Sequence, residues 1–265
     1  MRVFALSDLH VDYESNAQWV ADLSRLDYTD DILILAGDLS DALGQIEENL
    51  NALAMRFKNV LYVPGNHEMW LVRSPELEDS IAKFVEVCRV VRNSGVSTES
   101  LYTDELTIVP LLGWYDYSFG APGDELRAAW MDFRSCRWPP HMSERQVTQF
   151  FSGLNEPLPR PQSKKVISFS HFLPRIDLIA GYLPERYRYL HPVMGTDILE
   201  QQLRRLGASI HVYGHSHLNR RVTMAGVEYI NNAFGYPSEA RIAAKRLLCI
   251  YDGNASIIDD QDETH

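Results

Sequence analysis

Short apolar runs alternate with segments of helical spacing through the first third of the chain. Arg2 to Ser7, Ile32 to Ala36 and Val60 to Val63 read as strands, the unbroken Ile-Leu-Ile-Leu-Ala of the second marking burial on both faces. Between them, Asn16 to Leu26 sets Trp19, Val20 and Leu23 on one side of a helix. Leu43 to Phe57 repeats Ile46, Leu50, Leu53, Ala54 and Phe57, and Leu77 to Val91 keeps Ile81, Phe84, Val85 and Cys88 in register. Such alternation predicts βαβ units and a parallel sheet, whose right-handed crossovers gather the strand carboxyl ends on one edge.

The pattern then changes. Leu106 to Leu112, Lys165 to Phe169 and Ser209 to Tyr213 are further strands, and Asp197 to Leu206 is a helix with Gly207 placed to close its C-terminus. Arg221 to Ile230, Arg246 to Tyr251 and Ala255 to Ile258 read as a closing set of antiparallel strands. The irregular stretch 113–162, rich in Pro, Trp and Tyr with a short helix at Glu144 to Phe151, reads as an insertion or cap within a single domain spanning 1–265.

At 265 residues, with a formal net charge of −11, the chain is long enough for one large core and too acidic for tight binding to a nucleic-acid backbone. An anionic substrate stays open, because bound divalent cations reverse the field locally. Cys88, Cys136 and Cys249 are widely spaced and odd in number, which fits neither a disulfide framework nor a Cys-x-x-Cys pair. No apolar stretch reaches a membrane-spanning length of about 18–20 residues, and no leader pattern opens the chain. A cytoplasmic protein without a membrane partner is the expectation. The run Asp259-Asp260-Gln261-Asp262-Glu263 is read as a solvated end.

The chemistry sits just past the strands. Asp8-Leu9-His10, Gly37-Asp38, Gly65-Asn66-His67-Glu68, His171 and Gly214-His215-Ser216-His217 each follow an apolar run. They offer seven candidate metal ligands: Asp8, His10, Asp38, Asn66, His171, His215 and His217. Imidazole, carboxylate and amide donors without thiolate fit Mn²⁺, Fe or Zn²⁺ better than Ca²⁺ or a structural zinc site. The glycines before Asp38, Asn66 and His215 permit sharp turns and close backbone approach.

In this order the clusters resemble the calcineurin-like metallophosphoesterase superfamily, whose pattern is D-x-H, G-D, G-N-H-(D/E), a single H, and G-H-x-H. The match runs from Asp8 to His217 with no ligand missing. The resemblance implies an α/β fold, a four-layer αββα sandwich of two mixed sheets. It implies Asp8, His10 and His217 on one metal, Asn66, His171 and His215 on the other, and Asp38 bridging. Two divalent ions about 3.5–4 Å apart, with Mn favoured in vitro, would turn a bridging water into an attacking hydroxide. His67 would assist the leaving group as an acid or electrostatic stabiliser, oriented by Asp41. The protein Ser/Thr phosphatase branch is disfavoured because Ala42 stands where that branch places its phosphate-binding arginine.

The expected substrate is therefore a small phosphorylated molecule: a phosphomonoester first, a diester such as a cyclic nucleotide second. A non-catalytic scaffold, resembling a retromer subunit, would be expected to have lost ligands. A double-strand-repair nuclease is opposed by the acidic charge. Other residues receive plainer readings. His211, inside a strand, is a packed or edge histidine; His141, His191 and His265 are outside the site; Glu68 influences His67, or equally takes a supporting or surface role. The aromatics Trp114, Tyr115, Tyr117, Phe119, Trp130, Phe133 and Trp138 read first as an insertion's own core and second as a platform for a substrate ring. Arg134, Arg137, Arg186 and Arg188 are candidates for a further phosphate contact.

Overall fold

The computed structural model describes residues 1–254 except 162, 164, 180, 182 and 183. The strand expected at Ala255 to Ile258, the acidic end and His265 lie outside these residues. Two sheets organise the rest. The first has order β10-β1-β2-β3, from β1 (Arg2–Leu6), β2 (Ile32–Ala36), β3 (Asn59–Val63) and β10 (Leu248–Asp252). The second has order β4-β5-β6-β7-β9-β8, from β4 (Leu101–Tyr102), β5 (Leu106–Pro110), β6 (Lys165–Phe169), β7 (Ile210–Tyr213), β8 (Arg220–Met224) and β9 (Val227–Asn231). β1, β2 and β3 run parallel, as do β5, β6, β7 and β9, so each sheet presents a row of carboxyl ends.

Strand alternation assigns the apolar side chains to layers. Val3 and Ala5 of β1 and Ile32 and Ile34 of β2 face Ile108, Ile167, Phe169 and Val212 across the space between the sheets. The alternate residues Phe4, Leu6, Leu33 and Leu35 face outward onto α1 (Glu14–Asp22), α2 (Leu43–Ala54) and α3 (Ser80–Asn93), through Val20, Ile46, Leu50, Leu53, Val87 and Val91. On the far side, Val109, Val166, Tyr213 and Tyr229 pack with α6 (Glu144–Leu154) and α7 (Asp197–Arg205). Helix, sheet, sheet and helix make the four-layer sandwich, and this is why the central strands are apolar on both faces. Each fully buried Leu or Ile there contributes roughly 1.5–3 kcal/mol.

Two expectations change. The closing strands are not one antiparallel set. β8 and β9 form a hairpin on the second sheet, with β9 parallel to β7, whereas β10 crosses to the first sheet and pairs antiparallel with β1. Both sheets had a free edge that this segment of chain could complete. The helices also shift: α1 stops at Asp22 and α2 at Ala54, while α3 begins at Ser80, where Asp79 caps it by accepting the Ala82 N–H at 2.8 Å. Gly207 closes α7 as expected, with φ at +66°.

The 113–162 stretch adds two short helices before α6, α4 (Asp124–Ala129) and α5 (Asp132–Ser135). Its aromatics divide. Trp114 and Tyr115 are buried among Phe151 and Phe172, whereas Phe119 and Trp130 border an open cleft. No helix among the described residues is long and apolar enough to cross a membrane.

Candidate metal centre

Every sequence-predicted ligand lies in the turn following a strand. Asp8 and His10 follow β1, Asp38 follows β2, Asn66 follows β3, His171 follows β6, and His215 and His217 follow β7. The two rows of carboxyl ends meet there, so the first sheet supplies four donors and the second three. All seven are buried. Donor atoms from six of them form two groups, Asp8, His10, Asp38 and His217 in one and Asp38, His171 and His215 in the other, each within 4.8 Å, and Asn66 Oδ1 lies 3.1 Å from His171 Nε2 of the second. Asp38 belongs to both.

The turns hold these side chains at a conformational cost. Asp8, His10, Asp38, His215 and His217 adopt left-handed backbone, with φ from 44° to 67°, about 1–3 kcal/mol each for a non-glycine residue. Backbone hydrogen bonds between turns offset it: Asp8 N–H to Gly37 O at 2.9 Å, His10 N–H to Asp38 O at 3.0 Å, and Gly214 N–H to His171 O at 2.9 Å. The approach is close. A Cβ on Gly65 would lie 2.2 Å from Asp38 Oδ1, and one on Gly37 would lie 2.4 Å from His171 Nδ1.

Glu68 takes a supporting role. Its fully buried carboxylate accepts from the N–H groups of Gly65 (2.6 Å), Leu39 (2.5 Å), Asp38 (3.2 Å) and Ser40 (3.3 Å), tying the turns after β2 and β3 together. Sequence reasoning missed two partners. Glu239, the last residue of the 3₁₀ turn Pro237–Glu239, meets His217 Nδ1 at 2.7 Å. Asp132, from α5, accepts from Asn66 Nδ2 at 2.9 Å. Neither has a local signature, since they lie 22 and 66 residues from the groups they hold.

Hydrogen-bond chemistry tests whether the donors fit a cation. Carbonyl oxygens only accept, so His171 Nδ1 facing Ala36 O (3.0 Å) and His215 Nε2 facing Val193 O (3.0 Å) must carry the ring hydrogens. The remaining lone pairs, on His171 Nε2 and His215 Nδ1, then point at each other across 3.0 Å, with Asn66 Oδ1 at 3.1 Å. Burial pushes the pKa of both rings down, so protons do not relieve the repulsion. Three converging acceptors without a hydrogen fit a bound metal ion.

The other half differs. His217 lies between Glu239 and Asp8, its Nε2 at 3.4 Å from Asp8 Oδ1 and 3.0 Å from His10 Nε2. Burial opposes its charge, yet Asp8 and Glu239 push its pKa up to about 10. For Asp8 burial acts upward, and His217, His171 and His10 together hold it well below the usual carboxylate range. Asp38 is raised by burial, then by Glu68 and Asp8. Positive charge is therefore favoured on His217 at this point of the site.

His67 borders the same cleft, with Nε2 3.8 Å from Asp38 Oδ2 and its ring stacked on Trp70 at 3.7 Å between centroids. Burial, then the charges of His171 and His217, push its pKa down to about 3. The expected Asp41–His67 pairing does not form: the Asp41 carboxylate faces Arg73, 3.3 Å from Nε, and its carbonyl accepts from Lys83. Arg137 is spent on the carbonyls of Leu77 and Glu78, and Arg134 on that of Ala128. Only Arg188 of the four proposed arginines lines the cleft. His211 is packed, its ring nitrogens bonded to Ser168 and Ser170. His191, expected outside the site, lines the cleft wall.

The cleft measures about 930 Å³ and opens over Asp38, Asn66, His67, His215 and His217. Its walls are largely apolar, with Phe119, Trp130, Ile176, Ile179, Leu190 and Ile242 prominent among them.

The fold and the ligand order define a metallophosphoesterase. Residues 1–219 match the calcineurin-like phosphoesterase family, and the chain belongs to it. Its chemistry is metal-dependent phosphoric ester hydrolysis, outside the protein Ser/Thr phosphatase branch. It is 29% identical over 269 residues to the acyl-carrier-protein phosphodiesterase PptH of Mycobacterium tuberculosis, covering 90% of this chain and 79% of that one. The crystal structure of phosphopantetheinyl hydrolase (PptH) from the same organism superposes with a TM-score of 0.79 at 24% identity, covering 100% and 98% of the two chains. TT1561 of Thermus thermophilus shares the fold more distantly, with a TM-score of 0.50 at 13% identity over 88% and 89%.

Proposed function

We propose that this chain is a dinuclear-metal phosphodiesterase acting on a diester with one long, slender organic arm. The phosphopantetheinyl group of a carrier protein, for which the mycobacterial relative is named, is the leading candidate. The observation that carries the reading is a buried donor cluster of which Asp38, Asn66, His215 and His217 line a roughly 930 Å³ apolar-walled cleft. A small monoester would leave most of that cleft unused, so the diester is preferred to the monoester that the sequence alone favoured.

In this reading Asp8, His10 and His217 hold one divalent ion, Asn66, His171 and His215 the second, and Asp38 both; Mn²⁺ is favoured for assays. When bound, the pair supplies Lewis acidity toward phosphate oxygens and makes water a nucleophile at neutral pH. The chain's own groups do the rest. His67, neutral at pH 7, hydrogen-bonds the leaving-group oxygen rather than donating a full proton from an imidazolium. Trp130 and Phe119, carried by a 113–162 cap within the one domain, exclude water along the substrate arm. Arg188 meets a phosphate oxygen or a polar group of the arm. A cytoplasmic site of action is part of the proposal, supported by the free thiols of Cys88, Cys136 and Cys249.

The test offers Mn²⁺-loaded protein a phosphopantetheinylated carrier protein, a bis-aryl phosphate and a mono-aryl phosphate. Intact mass should show loss of the phosphopantetheinyl group, with the bis-aryl ester cleaved in preference to the mono-aryl. Asp38→Ala should abolish both activities while keeping the wild-type circular dichroism. A preparation that cleaves only the monoester, or a metal-replete Asp38→Ala with near wild-type turnover, would sink the reading.

A further inference from the structure

We infer that Asp132 is the positioning residue of the second metal site, fixing which end of the Asn66 amide faces the cation. The inference rests on the reading of Asn66 as a ligand. Asp132 is buried, and its carboxylate accepts three side-chain N–H groups from different parts of the site. Oδ1 takes Asn66 Nδ2 at 2.9 Å and Trp70 Nε1 at 2.7 Å, and Oδ2 takes Trp130 Nε1 at 2.8 Å. All three partners are obligate donors, so only a full acceptor satisfies them together.

Each bond aims a different group. Holding the Asn66 NH₂ turns its carbonyl oxygen toward His171 Nε2, at 3.1 Å, the orientation a metal ligand needs. Trp70, held by the same oxygen, carries the indole on which His67 stacks. Trp130 meets His215 edge-on, with centroids 5.7 Å apart, and lines the cleft. One carboxylate from the 113–162 segment thus sets an amide ligand, the support of the leaving-group histidine and a substrate wall.

An amide at this position cannot serve all three. In Asp132→Asn, keeping the oxygen toward Asn66 and Trp70 presents NH₂ to the Trp130 N–H. The flipped amide presents NH₂ to Asn66, which then turns its own oxygen away from His171. Trp130→Phe removes the obligate donor that opposes the first orientation, since the Tyr115 hydroxyl that also meets this carboxyl can accept instead of donating. The prediction is a cycle: Asp132→Asn weakens the second Mn²⁺ about 10- to 100-fold, and Asp132→Asn with Trp130→Phe recovers most of that loss relative to Trp130→Phe alone.

The experiment titrates Mn²⁺ into metal-stripped wild type, both variants, Trp130→Phe and Asn66→Ala, reading stoichiometry and affinity calorimetrically. Unchanged binding of both ions by Asp132→Asn, with loss of one ion in Asn66→Ala, overturns the role of Asp132 and leaves Asn66 a ligand. Two ions retained at wild-type affinity in Asn66→Ala overturns the ligand assignment itself. A weakened Asp132→Asn without rescue assigns Asp132 to stability alone and also overturns the proposal. A second measurement avoids replacing Asp132. The Asn66 side-chain amide protons, identified by their absence in Asn66→Ala, should exchange slowly with solvent before metal is added; exchange as fast as an exposed asparagine contradicts the inference.

Discussion

Single side chains decide how protons and metal compete at this site. Asp8 and Glu239 lift the pKa of His217 to about 10 against burial, which favours its charged form, and the Asp38 carboxyl is raised as well. His171 and His215 are already neutral. Metal ligation needs a neutral His217, so the cation must displace the proton held there. Apparent Mn²⁺ affinity should therefore rise with pH up to about 10, where His217 loses its proton, and fall as acid restores it. Calorimetry at pH 7.5 in buffers of different ionisation enthalpy checks the release directly. Glu239→Gln should reduce the number released, because it removes one of the two carboxylates that hold the His217 proton. Proton-free binding in the wild type would contradict this account.

At the scale of strands and turns, the site depends on backbone that only certain residues tolerate. Gly37, at φ +83°, passes within 2.4 Å of His171 Nδ1 measured from the Cβ it lacks. Gly37→Ala should cost at least about 1–3 kcal/mol of stability and displace His171, read as a lower urea midpoint and loss of one Mn²⁺ per chain. An unchanged midpoint and stoichiometry would show that the turn relaxes freely. These same turns explain what the amino-acid pattern disclosed. Apolar runs followed by Asp-x-His, Gly-Asp, Gly-Asn-His, a lone His or Gly-His-x-His located β1, β2, β3, β6 and β7 and the side chains gathered at their ends, because a strand is a local periodic object and its end a fixed place. Partner choice is not local. β10 could complete either sheet edge; it pairs with β1, and Ile250 joins the layer between the sheets. Asp132, Glu239 and Glu68 act across loops whose spacing carries no period, and the Asp41–His67 expectation failed because Arg73 and Lys83 claim Asp41.

Across the whole molecule, the two sheets touch the metal centre from opposite sides. Asp8, His10, Asp38 and Asn66 hang from the first, and His171, His215 and His217 from the second. Protein bonds already cross the seam: the His215 N–H donates to Asp8 Oδ1 at 2.9 Å, and Ser7 bridges Ala233. They leave the buried lone pairs of Asn66 Oδ1, from the first sheet, and His171 Nε2, from the second, opposed at 3.1 Å, a local repulsion within an otherwise well-packed interior. Bound cations convert that repulsion into cross-links between the sheets, so metal should stabilise the global fold, not just one loop. An ion present at a hundredfold excess over its Kd contributes about 2.7 kcal/mol, or about 5–10 °C in Tm for a chain of this size. Mn²⁺ should therefore raise the Tm of the stripped protein by that amount per ion, with one cooperative transition, and chelator should reverse it. Asp38→Ala, which removes the donor common to both groups, should lose most of the shift, whereas His211→Gln, which alters a buried histidine within β7 but no donor, should keep it. A full Mn²⁺ shift in Asp38→Ala would mean that the stabilising ions bind elsewhere, and the sheets would have to be joined by packing alone.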